Sequence, residues 1–229
     1  MNTSTEKATR QGAWETAYAK GQNFVFYPHE EIIRFLARHV RRRTGLDSYK
    51  DMMPGAKGAR LLDVGCGIGR HLLLSHQMSF DTYGIDLSSK AIDLARDWLK
   101  REGMEKTDEQ ILQGDVRHLP WPEDYFQVAL SHGVFDSMPT EIARAGIEDL
   151  ARVMIKGGLF YCDLVAGNAI EETVESEHEK DTVQSYFDQR KIDLLFEGRF
   201  KIVEQALTHR DDVLNGTRMS RWHLILQRT

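Results

Sequence analysis

From about residue 60 onward, short apolar segments alternate with amphipathic stretches along the chain. Apolar runs bounded by turn residues predict buried strands, and apolar residues three or four positions apart predict helices. This alternation is typical of a parallel sheet that is covered by helices on both faces. The predicted strands are Arg60–Val64, Asp81–Ile85, Gln110–Gln113, Phe126–Ser131 and Gly158–Leu164, and the predicted helices span about 70–78, 88–102 and 140–153.

The C-terminal part of the chain follows a different pattern. A helix is predicted over 181–196, and two strands follow it at Phe200–Leu207 and Arg218–Leu226. Asn215 and Gly216 lie between these strands, and an Asn-Gly pair favours a tight antiparallel turn. The predicted fold is therefore α/β: a seven-stranded, mostly parallel sheet with helices on both faces and a C-terminal antiparallel strand hairpin.

The N-terminal region carries a cluster of aromatic residues. Residues 1–12 are polar and are predicted to fray. The aromatic residues that follow are Trp14, Tyr18, Phe24, Phe26 and Tyr27. Apolar residues at helical spacing then predict a helix from Pro28 to Arg43, with Gly45 closing the segment. These elements predict an N-terminal helical cap, which either covers a site or packs against the sheet.

A glycine-rich turn follows the first predicted strand. Asp63 and Val64 run directly into the sequence Gly-Cys-Gly-Ile-Gly at 65–69, and a helix starts near Arg70. Glycines let a backbone approach a ligand closely, and a helix N-terminus offers unpaired N–H groups. The turn alone is a weak signal, because glycines also form tight turns that bind nothing. A nicotinamide enzyme is disfavoured, since its GxGxxG motif is expected nearer the N-terminus.

Two acidic residues strengthen the interpretation of this turn as a nucleotide site. Asp86 ends the second predicted strand roughly 20 residues beyond the turn, where a carboxylate can accept both hydroxyl protons of a ribose. Asp115 follows Gly114 after the third strand. Its side chain either accepts a hydrogen bond from the amino group of an adenine or caps a turn.

The combined pattern resembles the motif series of class I, Rossmann-like S-adenosylmethionine-dependent methyltransferases of the small-molecule type. The series is DxGxGxG at 63–69, GIDLS at 84–88, GD at 114–115 and RVMIKGGLF at 152–160. The resemblance covers about residues 58–165 well and the terminal strands in outline. It implies S-adenosylmethionine as the cofactor and S-adenosylhomocysteine as its product. It also implies a methyltransferase domain over 58–229, with residues 1–57 as a cap within the same domain and a substrate-side insertion at about 166–190.

The resemblance assigns cofactor contacts to individual residues. The main chain at Gly65 and Gly67 would run alongside the methionine part of the cofactor, and Asp86 would bind its ribose. The full set of expected cofactor-binding residues is Asp63, Gly65, Cys66, Gly67, Gly69, Arg70, Asp86, Leu87, Asp115, Val116, Ser131 and Tyr18. Asp115 with Val116 would flank the adenine, and Ser131 would offer its carbonyl to the cofactor's amino group. Tyr18 and Arg70 are candidates for the carboxylate, Leu87 packs on the adenine or in the core, and Cys66 is interpreted as a packing residue.

The acceptor side is expected after the fourth strand, since ligands of open α/β sheets bind at the carboxyl ends of strands. There His132 is the candidate base or a surface histidine, and Asp136 is its candidate orienting partner or substrate contact. A base is needed only when the acceptor must lose a proton during attack. Further candidate substrate contacts are Phe26, Tyr27 and His29 in the cap and His178 and Tyr186 in the long polar segment after the fifth strand, where solvated positions are the alternative.

Composition narrows the class of partner. The formal charge of −5 and the pI of about 6.0 give no general attraction to nucleic acid or to anionic membranes. Arg41, Arg42 and Arg43 form a local basic cluster, interpreted as a solvated helix end. Cys66 and Cys162 are expected to be reduced thiols, and neither a signal peptide nor a membrane span of roughly 20 apolar residues is predicted. A cytoplasmic protein without metal is therefore expected.

The expected function is methyl transfer from S-adenosylmethionine to a small polar acceptor, such as a carbohydrate hydroxyl or another metabolite hydroxyl or amine. We expect a small-molecule substrate and no nucleic-acid or membrane partner, and the sequence predicts no oligomeric state. Two alternatives stay open: methylation of RNA or protein, and a methyltransferase-like binding protein without catalysis.

Overall fold

The computed structural model describes residues 3–229 of the chain. Its helices are α1 (Thr3–Ala19), α2 (Glu30–Phe35), α3 (Arg70–Gln77), α4 (Ser89–Arg101), α5 (Thr107–Gln110), α6 (Thr140–Val153) and α7 (Gln189–Phe196). Its strands are β1 (Arg41–Arg43), β2 (Tyr49–Asp51), β3 (Arg60–Val64), β4 (Asp81–Asp86), β5 (Ile111–Gln113), β6 (Phe126–Ser131), β7 (Met154–Val165), β8 (Glu171–Thr173), β9 (Val183–Ser185), β10 (Phe200–Asp212) and β11 (Thr217–Arg228).

Seven of these strands form one sheet in the order β10-β11-β7-β6-β3-β4-β5. Strands β3 to β7 pair in parallel, whereas β11 pairs antiparallel with both β7 and β10. The predicted fold, a mostly parallel sheet that finishes with an antiparallel strand hairpin, is confirmed. Because the parallel strands point the same way, their carboxyl ends share one edge of the sheet, where a ligand site is expected.

Apolar clusters cover both faces of the sheet. On one face Phe160 packs with Leu150 of α6 and Phe196 of α7. On the other face Tyr161, the next residue of β7, packs with Phe35 of α2. Successive side chains of a strand point to opposite faces, so β7 contributes to both clusters. Burial of each such large side chain contributes about 1.5–3 kcal/mol, which holds the sheet edge in place.

The N-terminal part corrects two predictions. The predicted fraying is wrong over the described residues, because helix α1 extends from Thr3 to Ala19, and Ala17 and Tyr18 near its end are buried. The predicted helix from Pro28 ends at Phe35 and continues as a π-helical turn over Leu36–Val40.

The arginine cluster is strand β1 rather than a solvated helix end. It pairs antiparallel with β2. Arg41 is buried between the Asp51 carboxylate at 2.5 Å and the Tyr49 ring at 4.8 Å. A cation with a carboxylate and an aromatic face as partners can be buried, and the helical spacing upstream gave no sign of that pairing.

The segment 166–190 also differs from its prediction. The structure forms a short antiparallel β8–β9 hairpin there, and α7 begins only at Gln189. Ser185 explains the difference, because its N–H donates to the carbonyl of Asp136 at 2.7 Å and its hydroxyl donates to that of Met138 at 2.7 Å. These tertiary hydrogen bonds hold the chain extended where its local spacing favoured a helix. None of the helices within residues 3–229 is long and apolar enough to cross a membrane.

Candidate cofactor and substrate site

A cavity of about 320 Å³ lies at the carboxyl edge of the sheet. Residues at the ends of four parallel strands line it in the order of the sheet: Asp115 after β5, Asp86 at the end of β4, Gly65 after β3 and His132 after β6. Arg221 of β11 extends the row beyond them. The volume lies in the range of small-ligand sites, so the edge predicted from topology is also where a molecule can be enclosed.

The turn between β3 and α3 requires glycine at two positions. Gly65 has φ +68°, and a Cβ atom there would lie 2.3 Å from Cγ2 of Val134. Gly67 has φ +53°, and a Cβ atom there would lie 2.7 Å from the Tyr18 hydroxyl. Both residues line the cavity, and the absence of side chains there lets Val134 and Tyr18 pack directly against the turn.

Asp86 is the buried carboxylate of the site. Its two oxygens accept the N–H groups of Gly67 and Ser88, each at 2.9 Å. Burial raises the pKa of Asp86 to about 6. Each carboxylate oxygen keeps a second lone pair, so Asp86 can still accept a hydrogen bond from a hydroxyl group of a ligand.

Asp115 belongs to a ring of alternating charges. Arg117 donates to it from Nη2 at 2.8 Å and also reaches Glu6 at 3.1 Å, while Arg10 lies 3.0 Å from Glu6 and 3.9 Å from Asp115. Although burial opposes ionisation, the hydrogen bonds from Arg117 hold the pKa of Asp115 below its usual value. Because Glu6 and Arg10 belong to α1, the ring ties that helix to the β5 end of the cavity.

Helix α1 is also fixed behind Asp86. The Glu15 carboxylate accepts N–H groups of Ser89 at 2.6 Å and Lys90 at 3.1 Å, and it accepts the Ser88 hydroxyl at 2.9 Å. A carboxylate is stabilised there by the free N–H groups and the positive end of the helix dipole of α4. Trp14 of α1 consequently lies over the cavity as part of its wall.

His132 lies among other histidines. Its ring centroid is 4.1 Å from that of His29 and 5.7 Å from that of His71. Its Nδ1 atom is 3.4 Å from Nη2 of Arg70, and its Nε2 atom is 3.5 Å from Oδ2 of Asp163. Burial lowers the pKa of His132 to about 3, so the ring is neutral at neutral pH. Arg70 can only donate, so Nδ1 accepts and Nε2 carries the proton that faces Asp163.

Arg221 is held by two fully buried carboxylates. Its Nη1 atom lies 3.0 Å from Oδ2 of Asp136 and 2.9 Å from Oδ2 of Asp163. Asp163 also accepts the N–H of Gly133 at 2.8 Å. Asp163, rather than the predicted Asp136, is therefore the carboxylate beside His132. Sequence patterns showed Asp163 and Arg221 only as members of strands. The pairing of Arg221 with Val165 decides which face of the sheet its side chain occupies.

The expected cofactor-binding residues fall into two groups. Those that line the cavity are Gly65, Cys66, Gly67, Arg70, Asp86, Leu87, Asp115, Val116 and Tyr18, whereas Asp63, Gly69 and Ser131 do not line it. Gly69 is the N-cap of α3, with φ +95°. Ser131 and Asp63 are buried, and each has a side-chain oxygen without a hydrogen bond to any described residue. Burial raises the pKa of the Cys66 thiol well above its usual value, as expected of a packing cysteine.

The expected substrate contacts mostly lie elsewhere. Tyr27 is 83% exposed, and Phe26 packs against Trp98 of α4 and does not line the cavity. His178 is exposed, and Tyr186 donates its hydroxyl to Glu172 on the hairpin. His29 caps α2 and packs behind His132. The lining residues that were not among the expected contacts are Arg10, Trp14, Asn23, Val25, Ile68, His71, Gly114, Gly133, Val134, Ser137, Met138, Glu179, Gln184 and Arg221.

The insertion reaches the cavity through contacts with the cap. Gln22, which follows α1, donates its side-chain amide to the carbonyl of Glu177 at 2.7 Å and accepts the N–H of Glu179 at 3.1 Å. Glu179 and Gln184 then line the cavity. Among residues 3–229, no group of three or more His, Cys, Asp or Glu side chains is arranged to hold a metal ion.

Comparison with known proteins agrees with this geometry. Residues 62–162 match the methyltransferase domain family. The structure of the Burkholderia thailandensis 1,6-didemethyltoxoflavin-N1-methyltransferase, with 1,6-didemethyltoxoflavin and S-adenosylhomocysteine bound, aligns over 100% of this chain and 91% of its own, with a TM-score of 0.69 at 14% identity. A Methanosarcina mazei structure described as one of the S-adenosylmethionine-dependent methyltransferases covers 75% of this chain and 93% of its own, with a TM-score of 0.65 at 17% identity.

Curated relatives match in sequence as well. The methyltransferase GfsG of Streptomyces halstedii is 26% identical over 152 residues, which are 66% of this chain and 53% of that protein. The tRNA (carboxymethyluridine(34)-5-O)-methyltransferase of Arabidopsis thaliana is 32% identical over 102 residues, which are 44% of this chain and 22% of that protein. The chain thus spans about half, or less, of the length of these relatives.

The match over residues 62–162 and the shared fold confirm the expected resemblance to class I, Rossmann-like S-adenosylmethionine-dependent methyltransferases.

Proposed function

We propose that this protein binds S-adenosylmethionine and transfers its methyl group to a small polar molecule. The observation that carries the proposal is one cavity with two chemically distinct halves. The glycine turn, Asp86 and Asp115 form one half, at the β3–β5 side of the sheet edge. His132 and Arg221 belong to the other half, at the β6–β11 side. A donor in the first half and an acceptor in the second would be neighbours.

The residues of the first half fit this cofactor. The turn at Gly65 and Gly67 brings main chain to the lining of the cavity, and Asp86 offers free lone pairs to ribose hydroxyls. Leu87 and Val116 supply apolar contacts for an adenine beside Asp115, and Arg70 supplies a charge for a carboxylate. When bound, the cofactor supplies an electrophilic methyl group on a sulfonium.

The second half aligns an acceptor more readily than it deprotonates one. A general base works best when its pKa lies near the working pH, whereas that of His132 is lowered to about 3. Arg70 also occupies the Nδ1 lone pair. The geometry therefore favours a nucleophile that attacks without prior loss of a proton, such as a neutral amine or ring nitrogen, over a hydroxyl.

The enclosure favours a small acceptor over RNA. Helix α1 and the insertion both contribute wall residues, and Gln22 joins the two by hydrogen bonds at 2.7 and 3.1 Å. The formal charge of −5 provides no attraction to a phosphate backbone. The relatives named as tRNA methyltransferases align over less than half of this chain, so RNA methylation is the competing outcome of the test.

The first experiment measures cofactor binding by calorimetry. Wild type should bind S-adenosylhomocysteine, and Asp86→Ala should bind it at least about tenfold more weakly, because hydrogen bonds to a charged group contribute about 1.5–3 kcal/mol each. Asp108→Ala is the matched control, since Asp108 is exposed and pairs with Lys100 on the surface. Absence of binding to wild type at millimolar concentration contradicts the proposal.

The second experiment follows radiolabelled methyl transfer from S-adenosylmethionine. Acceptors are a set of small amines, nitrogen heterocycles and sugars, compared in parallel with bulk tRNA and protein. Label in small molecules supports the proposal, whereas label only in tRNA or protein assigns the competing function. Cofactor binding without transfer to any acceptor favours a binding protein.

A further inference from the structure

One buried residue, Asp136, organises a wall of the acceptor half. Its carboxylate accepts the N–H of Val165 at 3.0 Å and lies 3.0 Å from Nη1 of Arg221. Its main-chain carbonyl accepts the side-chain amide of Gln184 at 2.9 Å. Arg221 and Gln184 both line the cavity. Because both side chains are bound to Asp136, one through its carboxylate and one through its main-chain carbonyl, this single residue fixes both positions in the wall.

Arg221 presents hydrogen-bond donors. Its Nη1 atom is engaged by the carboxylates of Asp136 and Asp163. Its Nε and Nη2 atoms make no hydrogen bond to any side chain or main-chain group that the structure describes, and neither is a buried atom without a partner. The guanidinium is planar and rigid, so engagement of one nitrogen fixes the direction of the others. Arg221 therefore offers oriented N–H groups to a ligand.

Gln184 presents a hydrogen-bond acceptor. Its Nε2 atom donates to the carbonyls of Asp136 and Ser185, each at 2.9 Å. Two carbonyl partners require the nitrogen on that side and assign the opposite position to Oε1. No described side chain or main-chain group donates a hydrogen bond to Oε1, which is therefore a fixed acceptor in the same wall as the donors of Arg221.

The charge of Arg221 is offset within the wall. Two buried carboxylates, those of Asp136 and Asp163, face the single guanidinium of Arg221. The free N–H groups of Arg221 therefore do not require a charged partner, and a neutral ligand with one donor and one acceptor would pair with both Arg221 and Gln184.

We propose that Arg221 and Gln184 recognise a neutral, planar acceptor through an edge that carries a carbonyl oxygen beside an N–H group, as in a lactam or a ring imide. Arg221 donates to the carbonyl oxygen, and Oε1 of Gln184 accepts the N–H. This inference rests on the proposed function and names its substrate class. Both side chains are recognition residues of the acceptor half and are separate from the contacts of the cofactor half.

The test uses ligand-observed NMR on the complex with S-adenosylhomocysteine. The probes are glutarimide, which has the complete edge; N-methylglutarimide, which lacks the N–H; glutarate, which is anionic; and methyl α-D-glucopyranoside, which has only hydroxyls. Glutarimide should bind at least about fivefold more tightly than its N-methyl derivative, because the loss of one hydrogen bond weakens binding about two- to tenfold or more. Glutarate and the glucoside should bind more weakly still.

Variants separate the two contacts. Gln184→Leu should weaken the binding of glutarimide about five- to tenfold and leave the binding of N-methylglutarimide unchanged. Arg221→Lys keeps the positive charge but loses the planar set of N–H donors, so it should weaken the binding of both. Gln227→Leu is the matched control, because Gln227 donates to the carbonyl of Gly157 at 3.2 Å and does not line the cavity. If Arg221→Lys fails to fold, Gln184→Leu alone decides.

The inference is overturned if glutarimide and N-methylglutarimide bind equally, if glutarimide gives no signal at millimolar concentration, or if Gln184→Leu binds it like wild type. Binding of S-adenosylhomocysteine is measured for every variant. If that ligand binds and sugars are methylated, the proposed function stands and the lactam class falls. If wild type does not bind S-adenosylhomocysteine, the proposed function itself falls, and the inference falls with it.

Discussion

Replacing Gly65 by alanine tests the geometry on which the cofactor half depends. The new Cβ atom would lie 2.3 Å from Cγ2, 2.8 Å from Cγ1 and 3.2 Å from Cβ of Val134. Such distances lie far below van der Waals contact, and the Cβ of Val134 cannot move away by rotation of its side chain. Either the turn or the loop after β6 must shift, and both of them line the cavity.

Two contributions set the size of the effect. A residue with a Cβ atom in the left-handed region costs roughly 1–2 kcal/mol, and overpacking adds about 1–3 kcal/mol. Gly55 separates the two contributions, because its φ of +69° matches the +68° of Gly65 while nothing lies within 4 Å of its Cβ position. Gly55→Ala therefore measures the backbone cost alone, and Gly65→Ala should lose about 1–3 kcal/mol more of the free energy of unfolding.

Urea unfolding of the wild type, Gly55→Ala, Gly65→Ala, Val134→Ala and the Gly65→Ala/Val134→Ala double variant provides the measurement. The double variant should recover part of the steric loss and show a coupling energy of at least about 0.5 kcal/mol. Gly65→Ala should also bind S-adenosylhomocysteine more weakly. Equal destabilisation by Gly55→Ala and Gly65→Ala would refute the reasoning, since it would mean that Val134 does not oppose a side chain at the turn.

Three further predictions concern pH and the cap. Burial lowers the pKa of His132 to about 3, below the unfolded value near 6.5, so its contribution to stability is present above pH 6.5 and is lost as the pH falls towards 3. His132→Asn should consequently lose about 2–3 kcal/mol less than wild type between pH 7 and 4.5 in unfolding titrations, and parallel pH profiles would contradict this. Glu15→Gln should cost about 1 kcal/mol and speed amide exchange in α1, because a charged cap of α4 becomes neutral; protection equal to wild type would disprove the capping role. Gln22→Ala should speed amide exchange over 171–185 with little change in melting temperature, and faster exchange confined to α6 would show that the hydrogen bonds of Gln22 with Glu177 and Glu179 do not hold the insertion.

The features predictable from sequence are those with local causes. The turn at Gly65 requires a backbone that only glycine adopts easily, and Asp86 follows it by the spacing of one strand–helix–strand unit. The sheet is predictable for the same reason, since buried parallel strands have continuous apolar runs. Asn215 and Gly216 similarly marked the hairpin that distinguishes this fold.

The features that escaped prediction depend on partners distant in sequence. Glu6 and Arg10 have the spacing of an ordinary solvated helix pair, and only the position of Asp115 after β5 makes them part of the site. Arg221 alternates like any strand residue, so its cavity-facing side follows from its register with β7. Ser185 similarly belongs to a strand because the loop after β6 supplies carbonyls to it.

The cavity joins Arg10, near the first described residue, to Arg221, near the last. The hydrogen bond between Gln22 and Glu179 also joins distant parts of the chain, since these residues are 157 positions apart. Contacts of this kind form late in folding, because the intervening chain must already be ordered. Ligands that occupy both halves of the cavity would therefore stabilise the state in which α1 and β11 are both packed in place. Ligand occupancy would then protect these two elements from proteolysis together.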